Sequence, residues 1–205
     1  MTRALLAVAL LAASVLPAAA QHGPGRKDDR YDPLFRKYSK RYFGVAYDWR
    51  VFKAQAIAES NLSPDATSRV GARGLMQLMP ATFREVQSKN PEFQAIDHPE
   101  WNIAAGICYD RKLWRLWDDP ATLEDRRSFM FGSYNAGRGT LLRAQQTARE
   151  KSLDPCTWRS IEQVAPAVRG WRHRETLEYV EKIDAYLESL KGRSPPGESS
   201  SAPAP

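Results

Sequence analysis

Between Val51 and Ala58 the chain leaves almost no side of a helix free for water. Val51, Phe52, Ala54, Ala56, Ile57 and Ala58 spread round nearly the whole circumference of a helix read from Trp49 to Ser60. Asp48 stands where an N-cap is wanted. A helix that is apolar on most sides is predicted to be buried on most sides. Glu59 is therefore a carboxylate at the end of a buried helix, where lost hydration disfavours its charged form. An acid that keeps its proton near neutral pH is what a general acid requires. Taken alone, Glu59 has a plainer reading as a surface residue at a frayed end, because Glu is seldom buried without a partner.

The rest of the chain reads as helix too. Pro33 to Phe43 puts Leu34, Tyr38 and Tyr42 on one face. Residues 61–74 carry Pro64, Asp65, Ser68, Gly71 and Gly74, a loop of turn formers. Leu75 opens a second buried piece, continued as a helix from Ala81 to Ser88, and residues 91–99 connect onward. Glu100 to Trp117 is a long helix carrying Trp101, Ile103, Ile107, Leu113 and Trp114. Thr122–Tyr134 and Gly139–Glu150 are two more, split at Gly137 and Gly139. Residues 157–168 are mixed, and Glu175–Leu190 is amphipathic through Leu177, Val180, Ile183 and Leu187. There is no strand alternation and no internal repeat. The expected architecture is mostly α, one domain over residues 31–191.

The ends read differently. A basic start, an uncharged run from Ala4 to Leu16 and Pro17-Ala18-Ala19-Ala20 predict a secretory signal peptide over residues 1–20. The run is short for a membrane span of about 20 residues. Gln21 follows the expected cut, so no cysteine is offered for a lipid anchor, and no integral membrane anchor is expected. Residues 21–30 read as a flexible leader, and the Pro- and Ser-rich residues 192–205 as a disordered tail. The expectation is an exported monomer, periplasmic or extracellular. Its formal net charge of +6 attracts anionic surfaces, but the charges are scattered and no nucleic-acid motif accompanies them. Cys108 and Cys156 are the only cysteines, and an even count in an exported chain favours a disulfide, with two buried thiols as the alternative. Neither the cysteines nor the histidines have metal-ligand spacing, so no metal and no cofactor are expected.

Three blocks stand in order behind the first helix. They are Glu59-Ser60 with Ser68 and the run Gly71-Ala72-Arg73-Gly74-Leu75-Met76-Gln77-Leu78-Met79-Pro80, then Ser133-Tyr134-Asn135-Ala136-Gly137, then Glu175 to Val180. Together with residues 99–107 they resemble the lysozyme-like lytic transglycosylases of the soluble murein transglycosylase type. The resemblance spans Glu59 to Val180. It implies a lysozyme-like fold with a glycan-binding groove, Glu59 as the catalytic acid/base, and Ser68, Gln77 and Met79 lining the groove. It sets Tyr134 and Asn135 beside the carboxylate, gives Tyr179 as the tyrosine of the last block, and adds Ser60 as a lesser site residue. Ser133 departs from the family, which usually has alanine there, and Arg69 stands where relatives often carry proline.

Cleaving a glycosidic bond needs a proton on the leaving oxygen, and most glycosidases add a second carboxylate. Asp65, Glu85 and Asp97 do not look comparably placed. A single acid fits chemistry in which the substrate supplies the nucleophile. In the family the glutamate protonates the bond between N-acetylmuramic acid and N-acetylglucosamine. It then takes a proton from the muramic 6-hydroxyl, closing a 1,6-anhydro ring. Gly71 and Gly74 are read as letting backbone approach a sugar. Peptidoglycan strands are the expected partner, with an envelope or secretion complex left open. The alternatives are a muramidase of the same fold and a wall-binding or secretion-apparatus subunit.

Overall fold

The computed structural model describes residues 29–192. The expected signal peptide, all but the last two residues of the expected leader and all but the first of the expected tail lie outside the described residues. Eight α-helices follow one another, α1 Asp32–Phe43, α2 Arg50–Ser60, α3 Pro80–Gln87, α4 Pro99–Arg115, α5 Leu123–Ala136, α6 Arg138–Glu150, α7 Trp158–Val164 and α8 His173–Lys191. A short 3-10 turn, Ala165–Ala167, extends α7. Among the described residues the only β pairing is two isolated bridges that fold residues 67–78 back on themselves.

Local chemistry sets these boundaries. Asp48 accepts the Arg50 N–H at 3.0 Å, but the helix begins at Arg50, one residue later than expected, and its N-cap position is Trp49, which makes no side-chain cap bond. Asn61 closes α2 in the left-handed region at φ 52°, which fixes where Glu59 emerges. Pro80 and Pro99 open α3 and α4, where a missing N–H costs nothing. Thr122 and Thr157 cap α5 and α7 through their hydroxyls. Gly137 alone separates α5 from α6, at φ 80°.

The apolar helix is enclosed as its sequence demands. α8 packs along α2, α1 covers it from another side, and α4 and α5 complete the core. Phe52, Ala54 and Ala56 are fully buried. Lys53 on this helix is buried too, and Asp32 of α1 meets its ammonium at 2.7 Å. Ser133 also finds a reason here. Its hydroxyl accepts the indole N–H of buried Trp117 at 2.9 Å, a partner that alanine cannot supply.

The expected disulfide is not formed: Cys108 and Cys156 are both free. α4 turns the Cys108 sulfur toward the side-chain amide of Asn90, whereas Cys156 lies before α7 with its sulfur toward Asp119. Each thiol thus has its own neighbourhood, and burial pushes both thiols above the ordinary range.

Residues 61–79 form no helix, so their backbone groups need other partners. Side chains from three helices supply them in sequence. Ser60 of α2 donates to the Leu75 carbonyl at 2.9 Å. Asn102 of α4 accepts from the Met76 N–H at 2.8 Å and donates to the carbonyls of Arg73 and Ile96. Tyr134 of α5 donates to the Met76 carbonyl at 2.7 Å. Gly74 is required by this clamp rather than by a sugar. It sits at φ 77°, and a Cβ there would fall 2.4 Å from the Asn102 amide nitrogen.

Asn102→Ala leaves the Met76 N–H and the Ile96 carbonyl without their partner and takes one of two donors from the Arg73 carbonyl, which keeps the Leu78 N–H. The expected outcome is a loss of about 3 kcal/mol in urea unfolding. A loss below about 1 kcal/mol would show that the loop does not depend on this clamp.

Candidate active site

Glu59 lies in the last turn of α2, half-buried, with its carboxyl in a strongly desolvated setting. Burial pushes that carboxyl up to about 7, and one hydrogen bond works the other way. That bond is donated by the hydroxyl of Tyr179, on α8, to Oε1 at 2.6 Å. Burial pushes the Tyr179 phenol well above its ordinary range and the neighbouring carboxyl pushes it further, so Tyr179 stays a donor. No Lys or Arg forms an ion pair with Glu59 among the described residues.

The other residues singled out in the sequence take distinct places. Tyr134 spends its hydroxyl on the Met76 carbonyl rather than on Glu59, and its ring meets Tyr109 edge-on at 5.5 Å. Asn135 is exposed, and its side-chain oxygen accepts from the Thr176 hydroxyl at 2.8 Å. Thr176 in turn accepts from the Trp171 indole at 3.0 Å. Asn135, Trp171, Arg172, Glu175 and Thr176 line a surface depression of about 190 Å³. Glu175 on its wall is ion-paired with Arg172. Ser60 has its hydroxyl committed to the loop, since it also accepts from Ser63 N–H.

The loop presents the remaining three. Gln77 sits at φ 43°, and its amide nitrogen donates to the carbonyls of Ala66 and Gly74 at 3.1 and 2.9 Å. Both amide hydrogens are therefore spent, and the oxygen is left to accept. The Ser68 hydroxyl accepts from Ala72 N–H at 2.9 Å, which leaves its own proton to donate. Met79 is 41% exposed just before α3, an apolar surface rather than core. Asn61, Leu62 and Gln77 all hold left-handed backbone without being glycine. Such positions cost about 1–3 kcal/mol each and cluster where a fixed geometry is needed.

The Transglycosylase SLT domain family matches residues 33–155. The chain belongs to that family. Among its relatives are membrane-bound lytic murein transglycosylases F. That of Desulfosudis oleivorans is 34% identical, covering 79% of this chain and 36% of the relative. That of Photobacterium profundum is 32% identical, covering 80% of this chain and 32% of the relative. The chain thus spans about a third of the length of these curated relatives. Two solved structures share the fold. The 70 kDa soluble lytic transglycosylase of Escherichia coli aligns at TM-score 0.60 and 24% identity, over 79% of this chain and 24% of its own. The lytic transglycosylase Slt of Pseudomonas aeruginosa, solved as an inactive mutant, aligns at 0.62 and 24%, over 82% and 25%.

Two residues of this SLT domain escaped the sequence reading. Asn102 was part of a recognised segment, yet nothing in its neighbours announces a clamp. Asp110 reads as a surface acid because Arg111 and Lys112 follow it. It is in fact fully buried, and Gln55 of α2 donates to its Oδ1 at 3.3 Å. A signal was present: Ile103, Ile107, Asp110 and Trp114 fall on one helical face, and the other three are buried.

Glu59 has a direct consequence for stability. Its folded pKa of about 7 lies above the unfolded range, so its ionisation opposes folding. The contribution of neutral Glu59 is whole at acid pH and is lost as pH rises through about 7. Glu59→Gln is therefore expected to match the parent in acid and to exceed it by about 2 kcal/mol in alkali. Tyr179→Phe removes the bond that favours the carboxylate, so the Glu59 titration seen by carbon NMR moves upward. A downward shift would mean that Tyr179 does not serve Glu59 as a donor.

Proposed function

We propose that this SLT domain cleaves the β-1,4 bond between N-acetylmuramic acid and N-acetylglucosamine in peptidoglycan, with Glu59 as its single acid/base. The observation that carries the reading is a carboxyl raised to about 7 and held by one phenol, at the helix end where the family motif begins. Such a group carries a proton for part of the neutral range and gives it up readily. In the first step the Glu59 proton goes to the glycosidic oxygen as the bond to the muramic anomeric carbon breaks. In the second, the carboxylate takes the proton of the muramic 6-hydroxyl while that oxygen bonds to the anomeric carbon. Glu59 ends as it began, and no water is consumed. Tyr179 steadies the carboxylate between the steps. The Gln77 oxygen and the Ser68 hydroxyl are suited to an acetamido N–H and a sugar oxygen, and Met79 offers an apolar contact.

Among the described residues no second acid is paired with Glu59 at the site, which supports the same product. Asp110 is sealed in the core, where no water can be activated at a sugar. Glu175 is exposed on the wall of the depression and occupied by Arg172. An intramolecular hydroxyl then has the advantage of a high effective concentration. Export to the envelope through residues 1–20, a domain over 31–191 and a wall polymer as the substrate belong to this reading.

Glu59→Gln is expected to stay folded and to lose cleavage of purified peptidoglycan by about 10²-fold or more. In the parent, cleavage falls as pH rises through about 7, because the acid form of Glu59 is lost. Mass spectrometry of the digest should show ends one water lighter than hydrolytic products and resistant to borohydride. Reducible ends would make the chain a hydrolase instead. A Glu59→Gln protein as active as the parent would remove Glu59 from the mechanism.

A further inference from the structure

Asp110 and Gln55 form a fully enclosed polar pair among the described residues, outside the clamp. Both side chains are at 0% exposure, one on α4 and the other on α2. They share one hydrogen bond, from Gln55 Nε2 to Asp110 Oδ1 at 3.3 Å. Each then has one buried oxygen left over, Gln55 Oε1 and Asp110 Oδ2, and neither has a partner. If Asp110 is ionised, both oxygens are acceptors and nothing supplies them with hydrogen. Among the described residues no salt bridge reaches the aspartate. The ionisable groups facing it are Glu59 from α2, Tyr134 from α5, Tyr179 from α8, Tyr47 before α2 and Tyr109 on its own helix. None of them is a cation. A single proton on Oδ2 changes the inventory. Asp110 becomes a donor as well as an acceptor, and the Gln55 oxygen gains the hydrogen that it lacks.

We propose that Asp110 is held as a neutral carboxylic acid that closes a two-bond ring with the Gln55 amide, and that this ring is a positioning device for Glu59. Gln55 lies one turn before Glu59 on α2, so both side chains leave the same face of the helix. Fixing Gln55 to α4 therefore fixes the rotation of α2 and the direction in which Glu59 emerges. Neutrality is also what the acid/base role of Glu59 requires. A charged aspartate within electrostatic reach would oppose each ionisation of Glu59 during turnover. A neutral one leaves that ionisation free. Burial pushes Asp110 well above the carboxylate range, and the charge on Glu59 pushes it further, in keeping with a proton held on the aspartate. The positioning role rests on the proposed wall-cleaving chemistry, whereas the protonation state does not.

The protonation state is read without activity. Infrared spectra taken at mildly alkaline pH, where Glu59 is ionised, should contain a protonated carboxyl stretch that is lost in Asp110→Asn. No difference between the two proteins overturns the proposal. In Asp110→Asn the Glu59 titration by carbon NMR should stay within about 0.3 unit of the parent, because one neutral group replaces another. A fall of about one unit or more would mean that a charge had been removed. For positioning, Asp110→Leu is expected to lower kcat about ten-fold with little change in KM. The asparagine variant, which can remake both bonds, should recover most of that loss. An unchanged kcat in Asp110→Leu, or a loss that asparagine does not restore, overturns the positioning role.

Discussion

The enclosure of α2 is the constraint on which the molecule depends. A helix with apolar side chains on most of its circumference cannot face water; α8 lies along it, α1 covers another side, and α4 meets it through Asp110. That arrangement has a chemical result. Several polar groups of α2 are taken wholly or partly out of water, and each of these is answered by a neighbour. Lys53 is answered by Asp32, Gln55 by Asp110, Ser60 by the Leu75 carbonyl and Glu59 by Tyr179. The elevated carboxyl is thus a by-product of the packing that holds the helix. Desolvation is the cause of its shift, and the single phenol moderates it.

The same bookkeeping applies to the backbone of residues 61–79. Having no helix of their own, they borrow partners from α2, α4 and α5. The successive groups Leu75 C=O, Met76 N–H and Met76 C=O are taken by Ser60, Asn102 and Tyr134 in turn. Residues that a motif would assign to substrate contact therefore divide into two kinds. Ser60 and Tyr134 look inward and build the loop. Ser68 and Gln77 use half of their hydrogen-bonding capacity to shape the loop and keep the other half free.

Much of the helical frame could be read from periodicity, because each helix has a face of large apolar residues and a cap, proline or glycine near its end. Glu59 stood out for the same reason, as a lone acid behind an apolar run. The clamp was harder to see. Asn102 acts through three backbone groups that lie elsewhere in the chain, and no local pattern encodes such a contact. Gly74 was read as making room for a ligand when the room is for Asn102. Asp110 was hidden by the charged residues after it, although its place on an otherwise apolar face was visible. The cysteines show the opposite failure. Their number suggested a bridge, but a count has no geometry, and α4 turns one sulfur toward Asn90 while the other lies toward Asp119.

The loop that borrows its bonds also sets an order on how the molecule comes together. Its partners reside on helices that are far apart along the chain, so its native bonds exist only after α2, α4 and α5 have met. A chain with formed helices and an unfinished core would have Glu59 without the strand of backbone that faces it. The closure entropy of that segment is recovered late, from long-range side chains rather than from its own contacts. Changes within residues 61–79 should then act on the rate of unfolding far more than on the rate of folding. That segment is expected to be the last part to be assembled and the first to come apart.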